Sequence, residues 1–283
     1  MTTKRLLRIA VLLGATLLLP ACAGSLFSSE KKTEETKPAD VLYREADTFM
    51  SKGEYTYAAE KFEEVDRQHP YAPEARKAMV MAAYAYQKAG KPVEAVAAAR
   101  RYITMHPGSK EAALAQNIIA TSYYERINDP KRDQSETKRA IVELETLIRR
   151  YPDSRYVEDA QKRLKIARDV LAASEMNVGR YYLKQHNYLA AINRFRTVVT
   201  EYQTTAHVEE ALMRLTEAYM ALGIVSEAQT AAAVLGHNFP ESPWYKDAYT
   251  LLKSGGHAPR EDSGSWISRV WKRAVTSVRG SQG

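Results

Sequence analysis

RQHPYAPEA, residues 67–75, recurs along the chain in variant form. It returns as TMHPGSKEA at 104–112, RRYPDSRYVEDA at 149–160, TEYQTTAHVEEA at 200–211 and HNFPESPWYKDA at 237–248. Each reads as the end of a helix. With Pro70, Pro107, Pro152, Gln203 and Pro240 as anchors, an alanine stands twelve residues earlier every time: Ala58, Ala95, Ala140, Ala191 and Ala228. Eight residues before the anchors stand Phe62, Ala99, Leu144, Phe195 and Ala232, and five before stand Val65, Tyr102, Leu147, Val198 and Leu235. Eight residues after them is alanine again, at 78, 115, 160, 211 and 248. All fifteen preceding positions are apolar, at offsets that share one helical face.

Alanine at fixed places is a packing device. Two antiparallel helices approach closely where side chains are small, and enlarging such a site costs about 1–3 kcal/mol. Proline at the anchor stops the second helix of each pair, because it lacks the N–H donor and clashes with the preceding turn. This pattern resembles the tetratricopeptide repeat, a helix–turn–helix unit of about 34 residues. Gly179, Ala46 and Ala83 supply the small residue of the first helix in repeats 4, 1 and 2. The expected fold is all-α, a solenoid of five tetratricopeptide repeats spanning 41–253, each an antiparallel helix pair.

The anchors are spaced 37, 45, 51 and 37 residues apart, so repeats 3 and 4 carry 8 and 14 extra residues. In repeat 3 the surplus falls in RINDPKRDQSE, 126–136, a polar stretch with turn signals. In repeat 4 no break interrupts Val157 to Gln185 apart from Gly179. Fourteen residues are close to four turns at about 3.6 residues per turn, so a longer helix keeps its face. The spacing predicts one long central helix there, with a kink between repeats 1–3 (about 41–152) and repeats 4–5 (about 174–240).

The sole cysteine, Cys22, lies in LLLPACAGS, residues 17–25. Lys4, Arg5 and Arg8 precede an apolar run from Ile9 to Leu19, followed by small residues: a secretory signal over 1–21. Cysteine directly after Leu19-Pro20-Ala21 resembles a bacterial lipobox. Cleavage there leaves Cys22 as an acylated first residue, which removes the liability of a lone thiol in an oxidising compartment. Several acyl chains make a stable anchor, where a single chain is marginal. Loss of 1–21 removes three basic residues and no acidic one, lowering the formal charge from +7 to +4. That mild balance gives no argument for nucleic acid. Residues 22–40, rich in Ser, Thr, Lys and Glu, read as a flexible tether.

Little in the body suggests chemistry. The six histidines have no zinc-helix spacing, and there is no Gly-rich phosphate loop or nucleophile elbow. No enzyme, metal or cofactor is expected beyond the covalent lipid on Cys22. Eighteen tyrosines against five phenylalanines are more telling. Tyr84, Tyr86, Tyr123, Tyr124, Tyr181, Tyr182 and Tyr219 sit on first helices, where an aromatic, hydrogen-bonding groove suits peptide recognition. Tyr71 and Pro73 could close one end of it. Residues 254–265 (SGGHAPREDSGS is 254–265) read as a linker to a basic amphipathic helix at 266–279. Trp266, Ile267, Val270, Trp271, Ala274 and Val278 form its apolar stripe, with Arg269, Lys272, Arg273 and Arg279 elsewhere. It could lie on an anionic surface, dock into a partner, or fold back as a cap on the last repeat.

With its lipobox, tether and five repeats, the chain resembles the BamD family, the tetratricopeptide lipoproteins of the bacterial β-barrel assembly machinery. The local matches are QHPYAPEA with AYAYQK, RYPDSRYVEDAQKRL, and VGRYYLKQHNYLAAINRF. The resemblance implies a non-enzymatic scaffold, lipid-anchored on the periplasmic face of the outer membrane. Its implied partners are the POTRA domains of BamA, other lipoproteins of that machinery and unfolded outer-membrane protein precursors. Asn193 and Arg194 match the family's Asn-Arg pair, a candidate POTRA contact. Tyr71, Tyr84 and Tyr86 match the N-terminal pocket that holds precursor signals. Ala23 after Cys22, in place of an inner-membrane-retaining aspartate, implies outer-membrane sorting. The alternative is another periplasmic tetratricopeptide lipoprotein, an adaptor for pilus or peptidoglycan assembly.

Overall fold

The structure, a computed structural model, describes residues 37–280, with side chains through Arg273. The signal segment, Cys22 and the tether up to residue 36 lie outside the described residues. Every regular element among the described residues is an α-helix. Ten form five consecutive pairs: α1 (Ala39–Ser51) with α2 (Tyr55–Gln68), α3 (Pro73–Lys88) with α4 (Pro92–Met105), α5 (Ala112–Tyr124) with α6 (Ser135–Arg150), α7 (Val157–Lys184) with α8 (Tyr188–Glu201), and α9 (Val208–Ala221) with α10 (Val225–Asn238). Two more follow, α11 (Pro243–Ser254) and α12 (Trp266–Gly280).

The alanine register is the core. All fifteen apolar positions before the anchors, and all five alanines after them, are buried. From α1 to α11 each helix packs on the next, so every small residue on α2, α4, α6, α8 and α10 lets two backbones approach. The second helices end together, one or two residues before each anchor. Their caps are His69, His106, Tyr151, Tyr202 and Phe239. Where Gln203 replaces proline, Tyr202 relaxes to ψ 36°, against 54–61° at the other four caps. The helix still ends there.

The turn inside each pair is equally regular. Seventeen residues before the anchor the backbone is left-handed at Gly53, Gly90 and Gly223, with φ of 76°, 68° and 72°. In repeat 4 that position is His186, at φ 57°. In repeat 3 the inserted loop replaces it. Gln134 folds that loop, its Nε2 donating to the carbonyls of Asp129 (3.0 Å) and Arg132 (2.9 Å) while Oε1 accepts from Thr137.

The insertion in repeat 4 is helical, as the spacing predicts: α7 runs unbroken for 28 residues. Its first half contributes Ala160 to a small core with Ala120, Leu144 and Leu147. Its second half contributes Ala172 and Met176 to the core of repeats 4 and 5. One helix is therefore shared between two cores, and its extra turns lie between them.

Candidate partner-binding surfaces

At the N-terminal end, the start of α1, the turn after α2 and the end of α4 surround an open cleft of about 1120 Å³. Tyr71 stands at its rim, 99% exposed, beside Pro70, Pro73 and the side chains of Met79 and Met105. Of the cleft's three carboxylates, Asp40 pairs with Arg44 at 2.7 Å and Asp66 with Arg101, while Glu74 lines it too. Arg76 and Lys77 line the same wall. Apolar and aromatic surface beside two cations suits an extended apolar peptide that carries a carboxylate.

Tyr84 and Tyr86 do not join Tyr71 there. Two residues apart on α3, they point about 200° apart around the helix axis, so no single groove can receive both. Tyr86 turns inward, buried against α2, where its hydroxyl donates to Glu63 Oε2 at 3.0 Å. Burial first, then Glu63, pushes its phenol pKa well above the ordinary value. Tyr84 is half-buried with the Lys88 ammonium over its ring. The expected tyrosine trio thus reduces to Tyr71 at the cleft. Other first-helix tyrosines are also engaged: Tyr123 lies under Arg126 and Arg139, Tyr124 under Arg163, and Tyr219 is buried.

Asn193 and Arg194 are both exposed on α8. Arg194 Nη1 lies 3.2 Å from Glu175 Oε2 on α7. Such a solvent-screened pair contributes at most about 1 kcal/mol, so a partner's carboxylate can compete for the fork.

The C-terminal segment folds back. Of the three options for the basic helix, the cap is the one seen. Gln229 Nε2 donates to Ala258 O (2.7 Å), the Asp262 N–H to Thr230 Oγ1 (3.1 Å) and Ser265 Oγ to Glu227 (2.6 Å), so 255–265 is a strap along α10. Ser265 Oγ also accepts from the Ile267 N–H, capping α12. Ile267 is wholly buried, Trp266 Nε1 donates to Tyr219 OH at 2.9 Å, and Trp271 meets Phe239 edge-on. A sequence signal for this exists. Ten residues before each anchor the second helix faces outward, with exposed Glu60, Ala97, Val142 and Asn193, yet Thr230 is buried. Thr230, Ala233 and Val234 give α10 an uncharged outer face that asks for a cover.

The architecture defines an all-α tetratricopeptide solenoid. No helix among the described residues is long and apolar enough to cross a membrane. A family model described as "YfiO: Outer membrane lipoprotein" matches residues 35–235, and the chain belongs to this family. It is 40% identical over 254 residues to the outer membrane protein assembly factor BamD of Caulobacter vibrioides, covering 89% of this chain and 83% of that protein. The BamD of Rickettsia prowazekii is 38% identical over 88% of this chain and 99% of its own length. That of Xylella fastidiosa (strain 9a5c) is 32% identical over 84% of each. The crystal structure of PilW, a type IV pilus biogenesis factor, is similar at 15% identity and a TM-score of 0.24, over 76% of this chain and 98% of that one. A likeness that slight carries no argument.

Proposed function

We propose that the chain is a lipid-anchored scaffold subunit of the outer-membrane β-barrel assembly machinery, without a catalytic step of its own. The supporting observation is its end-to-end likeness to outer membrane protein assembly factors, 40% identity over 89% of the chain. Cys22 carries the acyl anchor and holds the body at the periplasmic face of the outer membrane. Asn193 and Arg194, exposed on α8, dock a POTRA domain of BamA. Arg194 exchanges its screened pair with Glu175 for a bidentate carboxylate contact. At the other end, the cleft beside Tyr71 receives the apolar, aromatic-ending segment of an unfolded barrel precursor, with Arg76 and Lys77 placed for its carboxylate. Rigid helix pairs between the two surfaces keep precursor and barrel subunit on one scaffold.

The test is a mild-detergent pull-down from outer membranes with a tagged chain. BamA should be recovered, and recovery should weaken with Arg194→Glu. Absence of BamA would favour the adaptor alternative. Palmitate labelling that persists in Cys22→Ala would refute the anchor.

A further inference from the structure

Arg196 of α8 lies with its guanidinium carbon 5.0 Å from the centre of the Trp266 ring on α12. Stacking fixes the plane of the guanidinium while leaving its edge N–H groups outward. Beside it, α12 exposes Arg269, Lys272 and Arg273. Lys272 is 3.6 Å from Glu261, but among the described residues no ion pair joins Arg196, Arg269 or Arg273 to a carboxylate. Asn193 stands one turn before Arg196 and Thr197 on the same side of α8.

We infer that Arg196, Arg269 and Arg273 form a ridge that binds carboxylates of the partner protein, so that α12 extends docking from Asn193 round α8 on the side away from Arg194, which leans toward Glu175 of α7. This rests on the α8 docking proposed above. Lys272 has Glu261 and Arg269 donates to the Gly264 carbonyl, yet among the described residues no carboxylate pairs with the three arginines, and an acidic partner supplies one while steering encounter. A stacked arginine has lost part of its rotamer freedom before binding, which lowers the entropy cost of the contact. A lipid surface fits less well. Trp266, Ile267 and Trp271 pack against the repeats, so among the described side chains of α12 little apolar face is left to insert among headgroups.

The experiment measures affinity of the full lipidated chain, in detergent, for a purified POTRA fragment of BamA at two salt concentrations. Arg269→Glu with Arg273→Glu should weaken binding about tenfold and flatten its salt dependence. Arg196→Lys, which keeps the charge but loses the fork, should also weaken it. If these variants bind like the wild type while Arg194→Glu weakens, α12 is not part of the face and the α8 reading stands. If the wild type does not bind, both fall. If POTRA binding is unchanged but the double variant loses preference for phosphatidylglycerol over phosphatidylcholine vesicles, the ridge serves lipid and the inference is overturned.

Discussion

Phe195 on α8 sits against Gly179 on α7 so closely that a Cβ at 179 would lie 2.4 Å from the ring's Cε1. Phe195 is the fully buried aromatic of repeat 4, and Gly179 is deep inside a 28-residue helix. Glycine there costs about 1 kcal/mol of helix propensity relative to alanine. The ring explains why the chain tolerates that cost. Gly179→Ala should therefore lower stability, by about 1–3 kcal/mol, despite the better helix former. Urea unfolding measures it, and a raised midpoint would contradict the packing argument. Adding Phe195→Leu should return part of the loss, since the two sites are coupled.

His186 offers the opposite case. It occupies the left-handed turn position that Gly53, Gly90 and Gly223 fill in other repeats. A side chain there strains the backbone by about 1 kcal/mol or more. Its ring makes one exposed contact, Nδ1 to Tyr188 OH at 2.9 Å. His186→Gly should raise stability by about 0.5–1 kcal/mol, read from the same urea curves. An unchanged or lowered midpoint would mean the Tyr188 contact outweighs the strain.

The repeat register was legible because it is set by helix-on-helix distance: every alanine in the ruler is buried. The long α7 was legible too, since an insertion near a whole number of turns keeps the helix face. The tyrosines were not. Tyr71 and Tyr86 have the same chemistry, and only the three-dimensional path shows one 99% exposed and the other against Glu63. The position of α12 was half legible. Its apolar stripe looks alike whether it faces lipid, a partner or its own repeats. The missing clue lay on α10, where Thr230 and Val234 replace the polar or exposed residues of earlier repeats.

Alkaline pH should loosen the fold. Tyr43, Tyr86, Tyr102, Tyr202 and Tyr219 all have pKa values raised above the ordinary 10.0, each first by burial. Below 10.0 the native and unfolded chains both keep these protons, and the contribution is fully present. Above it the unfolded chain releases protons that the native chain holds, so stability falls as pH rises. Urea midpoints taken from pH 9 to 11 should decline across that window, and more gently for Tyr86→Phe, relative to its own neutral-pH value. A flat profile would mean these phenols ionise in place.

The strap and α12 should behave as part of the last repeat. Ile267 is wholly buried in the same core as Val234, Leu235 and Leu252. Truncating its side chain with Ile267→Ala removes that burial and leaves a gap, costing about 2–4 kcal/mol locally. A chain ending at Ser254 would also expose Thr230 and Val234 and strip the hydrogen bonds at Gln229 and Glu227. Amide exchange distinguishes this from a loosely appended tail. Protection should drop in α10 and the C-terminal half of α9 in both variants, while α2 and α4, which share no core with α12, stay as protected as before. If exchange in α10 is unaltered by either change, then α12 is not holding that face, and the outward residues of repeat 5 are stable without a cover.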